Sequence, residues 1–219
     1  MNPENNALRR TYFIGGAPRV GKSLLAYSLA KQISGHVVST DAIRSAAKKA
    51  NQDNDSDLFK INTYNSLSES EWLTRHFDTP ERVVNDQNSE SRAFWPSIIS
   101  FCNTFCEDSA YHIVEGVALL PELVSTMEHK PHQVIYIGNT SQEHLHAILK
   151  YSQQNPEQDW MNAMGYSEER IAAMANFVRH MSLYFKAEAE KYGFRYYEIN
   201  DNSFEKSIAE IIHEIIIDQ

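Results

Sequence analysis

The chain has 219 residues, of which 42% are hydrophobic and 22% charged, a balance typical of one folded domain with a full hydrophobic core. Its formal net charge of −9 would repel a polyanion, which disfavours nucleic acid as a partner. No apolar run approaches the roughly 20 residues of a membrane span, and the opening residues MNPENNALRR lack the apolar core of a secretory signal. We therefore expect a single cytoplasmic domain over residues 1–219 that binds neither nucleic acid nor a membrane.

Five short segments rich in Val, Ile, Tyr and Phe are predicted to be strands, and most of them precede a stretch with helical periodicity. They are apolar through their middles, which is typical of parallel strands covered on both faces. In chain order they are RTYFIGG, HVVSTD, YHIVEGV, QVIYIGN and FRYYEIN. The last predicted helix has isoleucines at positions 208, 211, 212, 215 and 216 on one side, so it should pack on the sheet. The pattern indicates an α/β fold.

Two segments interrupt this alternation of strands and helices. The longer one runs from about residue 45 to residue 108 and contains the polar tracts NQDNDSD and HFDTPERVVNDQNSESRAFWP. The shorter one, NPEQDWMNAMGY, separates two helical patterns and contains the helix-breaking residues Pro156 and Gly165. Such insertions often carry substrate specificity or form a moving lid, although plain polar loops are also common.

The segment GAPRVGKS, residues 16–23, has the G-x-x-x-x-G-K-S pattern of a phosphate-binding loop, directly after the first predicted strand and directly before a helix. Glycines allow the backbone to approach a phosphate closely, so that successive N–H groups point at its oxygens. The start of the following helix adds its dipole to the same place. We predict that a nucleoside triphosphate binds here through Gly16, Ala17, Pro18, Arg19, Val20, Gly21, Lys22, Ser23 and Leu24.

Two side chains of this loop have defined chemical roles. The Lys22 ammonium group can reach the β and γ phosphates as a point charge, and the Ser23 hydroxyl suits magnesium, which prefers oxygen ligands. A GTPase is disfavoured because VIYIGNTSQEH contains no Asn-Lys-x-Asp guanine signature after its strand. The predicted cofactors are ATP and Mg2+.

Two acidic residues end predicted strands, and ligands of doubly wound sheets bind beyond the carboxyl ends of the strands. Asp41 ends HVVSTD, and Arg44 follows one helical turn later as a partner for an anion. Asp41 is predicted to be a general base or to orient the acceptor, and the alternative is a plain helix N-cap. Glu115 ends the middle predicted strand, where many phosphate-loop proteins have a magnesium-holding Asp, and a carboxylate buried there needs a cation or a hydrogen-bond donor.

Taken in order, the segments GAPRVGKS, VVSTDAIR and VEGVALLP resemble the small phosphate-loop kinases of the 2-phosphoglycerate kinase type. Zeta toxins and chloramphenicol phosphotransferase share this arrangement. The matched motifs are confined to about the first 120 residues, and only the first motif is specific to nucleotide binding. The resemblance implies a P-loop NTPase fold with a sheet ordered 2-3-1-4-5, helices on both faces, a helical lid, and transfer of the γ-phosphate of ATP to a small-molecule acceptor.

The resemblance also implies roles for individual residues. Lys22 and Ser23 match the nucleotide site, whereas Asp41, Arg44 and Glu115 match the acceptor and catalytic side. In that group of kinases the segment NDQNSESRAFWP helps to line the acceptor pocket, which makes Arg92 a further candidate. Their lids usually carry arginines. In the lid expected around residues 152–170 the first arginine is Arg170, and Arg179 follows in the same helical pattern, so one of these two is expected to meet the transferring phosphoryl group.

The favoured hypothesis is an ATP-dependent kinase acting on a hydroxyl of a small molecule, either 2-phosphoglycerate-like or another metabolite. The alternative is a regulatory, nucleotide-binding P-loop ATPase without small-molecule kinase activity. A polynucleotide kinase is disfavoured by the acidic net charge. The side chains that select the acceptor are expected in the segment around residues 45–108, where no motif identifies it, and the oligomeric state is open because the domain's own sheet accounts for the isoleucine stripe.

Overall fold

The computed structural model describes residues 8–51, 56–107 and 110–217, except for the side chains of residues 9, 106 and 107. Its centre is a five-stranded parallel sheet in the order β2-β3-β1-β4-β5. This order, with the glycine loop directly after β1, confirms the predicted P-loop NTPase fold. All five predicted strands are confirmed, with ends trimmed by one or more residues: β1 (Thr11–Gly16), β2 (His36–Ser39), β3 (His112–Gly116), β4 (Gln133–Gly138) and β5 (Arg195–Glu198).

Helices cover both faces of the sheet. Neighbouring residues of each strand point to opposite sides, so each strand contributes side chains to a buried cluster on each face. On one face Ile14 belongs to the same buried cluster as Leu25 and Ile211, and on the other face Phe13 packs in a cluster with Phe94. Of the isoleucine stripe predicted near the end of the chain, positions 208, 211, 212 and 215 are buried as expected, whereas Ile216 is only partly buried. The α-helices of the described residues are α1 (Lys22–Ile33), α2 (Thr40–Ala50), α3 (Glu69–Asp78), α4 (Pro80–Cys102), α5 (Pro121–Ser125), α6 (His144–Gln154), α7 (Trp160–Ala163), α8 (Glu168–Lys191) and α9 (Phe204–Ile217).

The end of β2 differs from the prediction that Asp41 ends this strand and caps the next helix. The strand stops at Ser39, and Thr40 is already the first residue of α2. The Ser39 hydroxyl is the N-cap, because it accepts a hydrogen bond from the backbone N–H of Asp41 at 3.2 Å. Asp41 therefore lies in the first turn of α2, where its charge interacts favourably with the helix dipole.

The polar segment around residues 45–108 is largely helical. After the end of α2 it forms two 3-10 turns, Asp57–Phe59 and Ile61–Ser66, and then α3 and the 23-residue helix α4. Helix α4 packs against α2, α3 and α8, so this part of the chain is built onto the sheet domain and does not extend from it as a loop.

The shorter interruption follows the predicted pattern. Helix α6 ends at Gln154, the short helix α7 follows, and Ser167 caps α8 by accepting a hydrogen bond from the backbone N–H of Arg170. Gly165, between α7 and α8, has a positive φ of 72°. Within the described ranges no helix is both long and apolar enough to cross a membrane.

Candidate nucleotide and acceptor site

The glycines of the predicted phosphate loop are required by the backbone. Gly16 has a φ of 138°, and a Cβ there would collide with the carbonyl group of Ile137 on β4. Gly21 has a φ of 92°, and its Cβ would lie 2.6 Å from the ring of Phe204. Any other residue at either position would strain the loop or displace its neighbour. The loop is therefore fixed between β4 and the start of α9.

Lys22 is the first residue of α1 and is only 7% exposed. Its Nζ donates a hydrogen bond to the carbonyl oxygen of Ala17 at 2.6 Å, within the same loop. Burial lowers the pKa of Lys22, and the nearby carboxylates of Glu115 and Asp41 act in the opposite direction. The ammonium group is thus poorly solvated and close to two carboxylates. When a highly charged anion binds Lys22, little further desolvation of the ammonium group is needed.

Ser23 and Glu115 lie together at the carboxyl edge of the sheet. The Ser23 hydroxyl donates to Oε1 of Glu115 at 3.3 Å, and Glu115 is buried on β3, paired in register with Ile14 of β1. No group of three or more His, Cys, Asp or Glu side chains is arranged to hold a metal ion within the described residues. A hydroxyl and one carboxylate are nevertheless the oxygen donors that fit magnesium, which takes its remaining ligands from phosphates and water.

The start of α2 lies directly against the end of β3. Gly116 has a φ of 150°, and a Cβ on it would collide with the Thr40 hydroxyl. This close approach brings Asp41 near the phosphate loop, where its charge acts on the pKa of Lys22. The Asp41 side chain is 61% exposed, and its Oδ1 lies 3.4 Å from Arg44. The structure therefore places Lys22, Ser23, Asp41, Arg44 and Glu115 near one another, and their roles stay predictions.

A buried glutamate, Glu90 of α4, was not recognised in the sequence. Its carboxylate is fully buried and accepts contacts from Arg44 at 3.4 Å, from Lys48 at 2.8 Å and from the backbone N–H of Ile61 at 3.0 Å. Glu90 thus fixes two cations of α2. Lys48 could have been found from its spacing, since it lies four residues after Arg44 on the same helix face. The position of Glu90 in a polar tract gives no signal of its own.

Arg92 lies outside this group of side chains. It is two residues after Glu90, so it points to a different side of α4. Its Nε donates to Oε1 of Glu122 on α5 at 2.5 Å, and about half of its side chain is exposed. The described contacts of Arg92 do not bring it to Asp41 or Arg44.

The two candidate lid arginines occupy different surroundings. Arg170 forms an ion pair of 2.6 Å with Glu69 of α3, and its guanidinium group lies 4.9 Å from the ring centroid of Trp72 and 5.3 Å from that of Tyr166. Arg179, about 14 Å further along α8, donates from Nε to the carbonyl oxygen of Thr140 at 3.0 Å. Arg170 therefore joins α8 to α3, whereas Arg179 lies just beyond the carboxyl end of β4.

The phosphate loop is also tied to the segment after α6. Arg19 donates through both terminal nitrogens to the two carboxylate oxygens of Asp159, at 3.0 and 2.8 Å. Burial acts to raise the pKa of Asp159, but the hydrogen bonds from Arg19 and from the Met161 backbone outweigh it and hold this pKa below its ordinary value. Asp159 is therefore a charged, buried partner of the loop. No sequence motif indicated this pair.

A cavity of about 930 Å³ lies at the carboxyl ends of β4 and β5, between α6 and residues 199–202. Its lining includes two lysines, Lys150 and Lys186, and the ring of Tyr151, which also lies 5.3 Å from the Arg19 guanidinium group. Beside it, Asp201 accepts from Asn139 at 2.9 Å and lies 2.9 Å from Nδ1 of His144. The cavity is large enough for a nucleoside, and Tyr151 connects its lining to Arg19 of the phosphate loop. Sequence patterns did not reveal it.

Comparison with known proteins leaves the family open. No protein-family model matches the chain, and no curated protein sequence matches it. Among solved structures the chain is similar to dephospho-CoA kinase from Campylobacter jejuni, with 17% identity over 94% of this chain and 96% of that chain and a TM-score of 0.41. A likeness at this level does not identify an activity or an acceptor, so the function must be argued from the site.

Proposed function

We propose that this protein is an ATP-dependent kinase that transfers the γ-phosphate to a hydroxyl of a small-molecule acceptor. The observation that carries the proposal is the convergence of Lys22, Ser23 and Glu115 at one edge of the sheet, with Asp41 and Arg44 across from them. A nucleotide-binding loop alone would need only the first two. A carboxylate and an arginine beside that loop supply the proton acceptor and the anion partner that transfer to a second substrate can use.

We place the ATP phosphates in the loop from Gly16 to Ser23 and the nucleoside in the cavity beside α6. The backbone N–H groups of the loop and the start of α1 face the phosphates in this arrangement, and Lys22 neutralises the β and γ phosphates. The cavity supports this placement because Tyr151, which lines it, lies 5.3 Å from the Arg19 guanidinium group of the loop, and because its lining includes polar side chains. Ala17, Pro18, Val20 and Leu24 then contribute mainly backbone contacts or packing.

Magnesium fits the oxygen donors at the edge of β3. Ser23 would be a direct ligand, and Glu115 would hold the ion directly or through a bound water. When bound, the ion neutralises charge that develops on the phosphate oxygens during transfer. The position of Glu115 beside the Ser23 hydroxyl supports this role, since the two oxygen donors can then reach the same ion.

On the acceptor side, Asp41 accepts the proton of the acceptor hydroxyl. The acceptor oxygen forms a bond to the γ-phosphorus, and the bond from that phosphorus to the bridging oxygen breaks, so that the electron pair leaves with ADP. Lys22 stays with the phosphates throughout. Arg44 binds an acidic group of the acceptor, and Glu90 holds Arg44 and Lys48 in place for this task. A 2-phosphoglycerate-like acid and other acidic metabolites suit these cations.

We further propose that the chain is one kinase domain in which residues around 45–108 form the acceptor-binding part and residues around 152–170 form the lid. Arg179 is the better placed of the two candidate lid arginines, because it lies at the end of β4 and Arg170 is engaged with Glu69. Arg92 remains a candidate for the rim of the acceptor pocket. The engagement of Arg170 is also the observation that favours the alternative, a regulatory ATPase in which the lid supplies no catalytic arginine.

The test is direct detection of a phosphorylated acceptor. The protein is incubated with ATP, magnesium and pools of hydroxylated acids, sugars and phosphoglycerates, and products are followed by phosphorus NMR and mass spectrometry. The kinase proposal predicts one phosphorylated acceptor with wild type and with the control Lys31→Ala, a loss of an exposed charge at the far end of α1. It predicts none with Lys22→Ala. Hydrolysis of ATP without any phosphorylated acceptor would favour the regulatory ATPase.

A further inference from the structure

Arg19 has an unusual backbone conformation for its residue type. Its φ is 62°, in the left-handed region, and Ser34 is the other non-glycine residue with a positive φ among those the structure describes. Ser34 follows the last turn of α1, where a left-handed residue is ordinary. Arg19 lies in the middle of the phosphate loop, where a glycine would adopt the same conformation without strain. The structure around Arg19 must therefore offset the cost, and the contacts of its side chain are part of that structure.

Arg19 contacts Asp159, whose carboxylate is buried and needs a cation beside it. The Asp159 carboxylate is fully buried, and each of its oxygens accepts one bond from the Arg19 guanidinium group. Oδ1 also accepts from the backbone N–H of Met161 at 2.9 Å, so Asp159 caps the short helix α7. A buried carboxylate that loses its cation is strongly destabilising. The position of α7 over the loop thus depends on Arg19.

The same guanidinium group reaches the last turns of α6. It lies 5.3 Å from the ring centroid of Tyr151, which lines the cavity beside the loop. One side chain of the phosphate loop therefore contacts the end of α6 and the cap of α7. The α6 element also lines the cavity in which the nucleoside is proposed to lie.

We propose that Arg19 and Asp159 form a latch that closes residues 152–170 over the phosphate loop and slows the release of a bound nucleotide. Arg19 is a positioning residue in this role, because it acts through Asp159 and α7. The latch also accounts for a lid segment that contains no arginine before Arg170. The cation of the ion pair, Arg19, is on the phosphate loop, and the lid segment supplies the carboxylate of Asp159. The part that concerns the nucleotide rests on the proposed function.

The first experiment measures the latch without any ligand. Hydrogen exchange of the backbone amides of residues 159–164 is compared in wild type, Asp159→Asn and Arg19→Gly. Asparagine preserves the helix cap and glycine preserves the left-handed loop, so both variants remove the ion pair, and Arg19→Gly also removes the contact with Tyr151. The control Lys191→Gln removes an exposed ion pair with Glu188 and changes the net charge as Arg19→Gly does. The latch predicts exchange at least about tenfold faster in both variants than in the control.

The second experiment measures the release of a fluorescent ATP analogue by stopped flow. Introduced alone, Asp159→Asn should speed dissociation about tenfold or more. Introduced together with Arg19→Gly, it should change dissociation little further, because the ion pair between the two residues is already lost. Equal exchange in all variants would overturn the latch, whether or not the protein binds a nucleotide. Faster exchange with unchanged dissociation would overturn its role in nucleotide retention. A wild-type protein that binds no ATP would contradict the proposed function and leave the exchange comparison to decide the latch.

Discussion

Ser23 and Glu115 are 92 positions apart in the chain, yet the hydroxyl of one donates to the carboxylate of the other at 3.3 Å. The contact exists because β1 and β3 are parallel neighbours. Glu115 near the end of β3 and Ser23 after the loop that follows β1 therefore lie at the carboxyl ends of adjacent strands. This hydrogen bond joins the phosphate loop to Glu115, which lies in a separate sequence motif. The pairing thereby turns two separate sequence patterns into one geometric site with a hydroxyl, a buried carboxylate and the Lys22 ammonium group.

The first prediction concerns Glu115. Replacing it by glutamine preserves its shape and removes the negative charge, so magnesium should bind the protein–ATP complex more weakly. We expect the magnesium concentration for half-maximal ATP binding to rise by about tenfold or more, because a charge-assisted contact contributes on the order of 1.5 to 3 kcal/mol. Calorimetric titrations of ATP at a series of magnesium concentrations measure this shift. Glu122→Gln, on α5, is the control, and the same magnesium dependence in both variants would contradict the role of Glu115.

The second prediction concerns Asp41, whose alternative as a helix cap is removed by the position of Ser39. Asp41→Asn should lower kcat by about 10² to 10⁴ while ATP affinity stays the same or rises slightly, because the variant loses its basicity and a negative charge near the phosphates. Single-turnover kinetics with the identified acceptor measures the chemical step.

The matched control for Asp41 is Ser39→Ala. It removes the N-cap and should cost about 1 kcal/mol of unfolding free energy. It should not reproduce the loss of kcat. Turnover of Asp41→Asn within about threefold of wild type would mean that this carboxylate takes no part in the chemical step.

The third prediction separates Arg170 from Arg179. Arg179→Ala should lower kcat by roughly 10³ if its guanidinium group meets the phosphoryl group during transfer. Arg170→Ala should instead lower the thermal stability and change the fluorescence of Trp72, because it removes the ion pair to Glu69 and the contact with the Trp72 ring. Kinetics and thermal melts of both variants test the assignment, and the reverse pattern would give the catalytic role to Arg170.

Much of the fold follows from local patterns, since apolar strands and a glycine loop have strong signals that depend on a few adjacent residues. The pattern of residues does not locate the N-cap of α2, because Ser39, Thr40 and Asp41 can each cap a helix. In the structure Ser39 is the cap, and Thr40 packs closely against Gly116. The pattern of residues could not predict the Arg19 contact with Asp159, because the two are 140 positions apart and each is unremarkable alone.

Helix α4 was not predicted for a different physical reason. It buries Gln87, Asn88, Glu90 and Ser91 and contains Pro96, so its sequence has neither a clean apolar stripe nor an uninterrupted set of helix-forming residues. Tertiary contacts override these local preferences. Glu90 is stable there because Arg44 and Lys48 of α2 neutralise it, which is a property of the packed structure and not of the segment.

The last prediction concerns the pH dependence of stability and His76 of α3. Its ring is buried, stacks on Trp72 with the ring centroids 3.6 Å apart, and places Nδ1 2.8 Å from the Trp72 carbonyl oxygen. Burial lowers the pKa of His76, and the positive charges of Arg170 and Arg75 add to the shift, while the hydrogen bond to Trp72 opposes it. The folded protein therefore holds His76 neutral at pH values where the unfolded chain begins to bind a proton.

Because the unfolded state binds more protons than the folded state below its histidine pKa of about 6.5, the free energy of unfolding should fall as the pH drops through that value. The contribution of one such group has a slope of at most about 1.4 kcal/mol per pH unit. Urea unfolding at pH 7.5, 6.5 and 5.5 measures it. His76→Gln should be less stable at pH 7.5 but should lose less stability on acidification than wild type, whereas the exposed control His213→Gln should follow wild type. Parallel pH profiles for wild type and His76→Gln would show that the buried imidazole does not set the acid sensitivity of this fold.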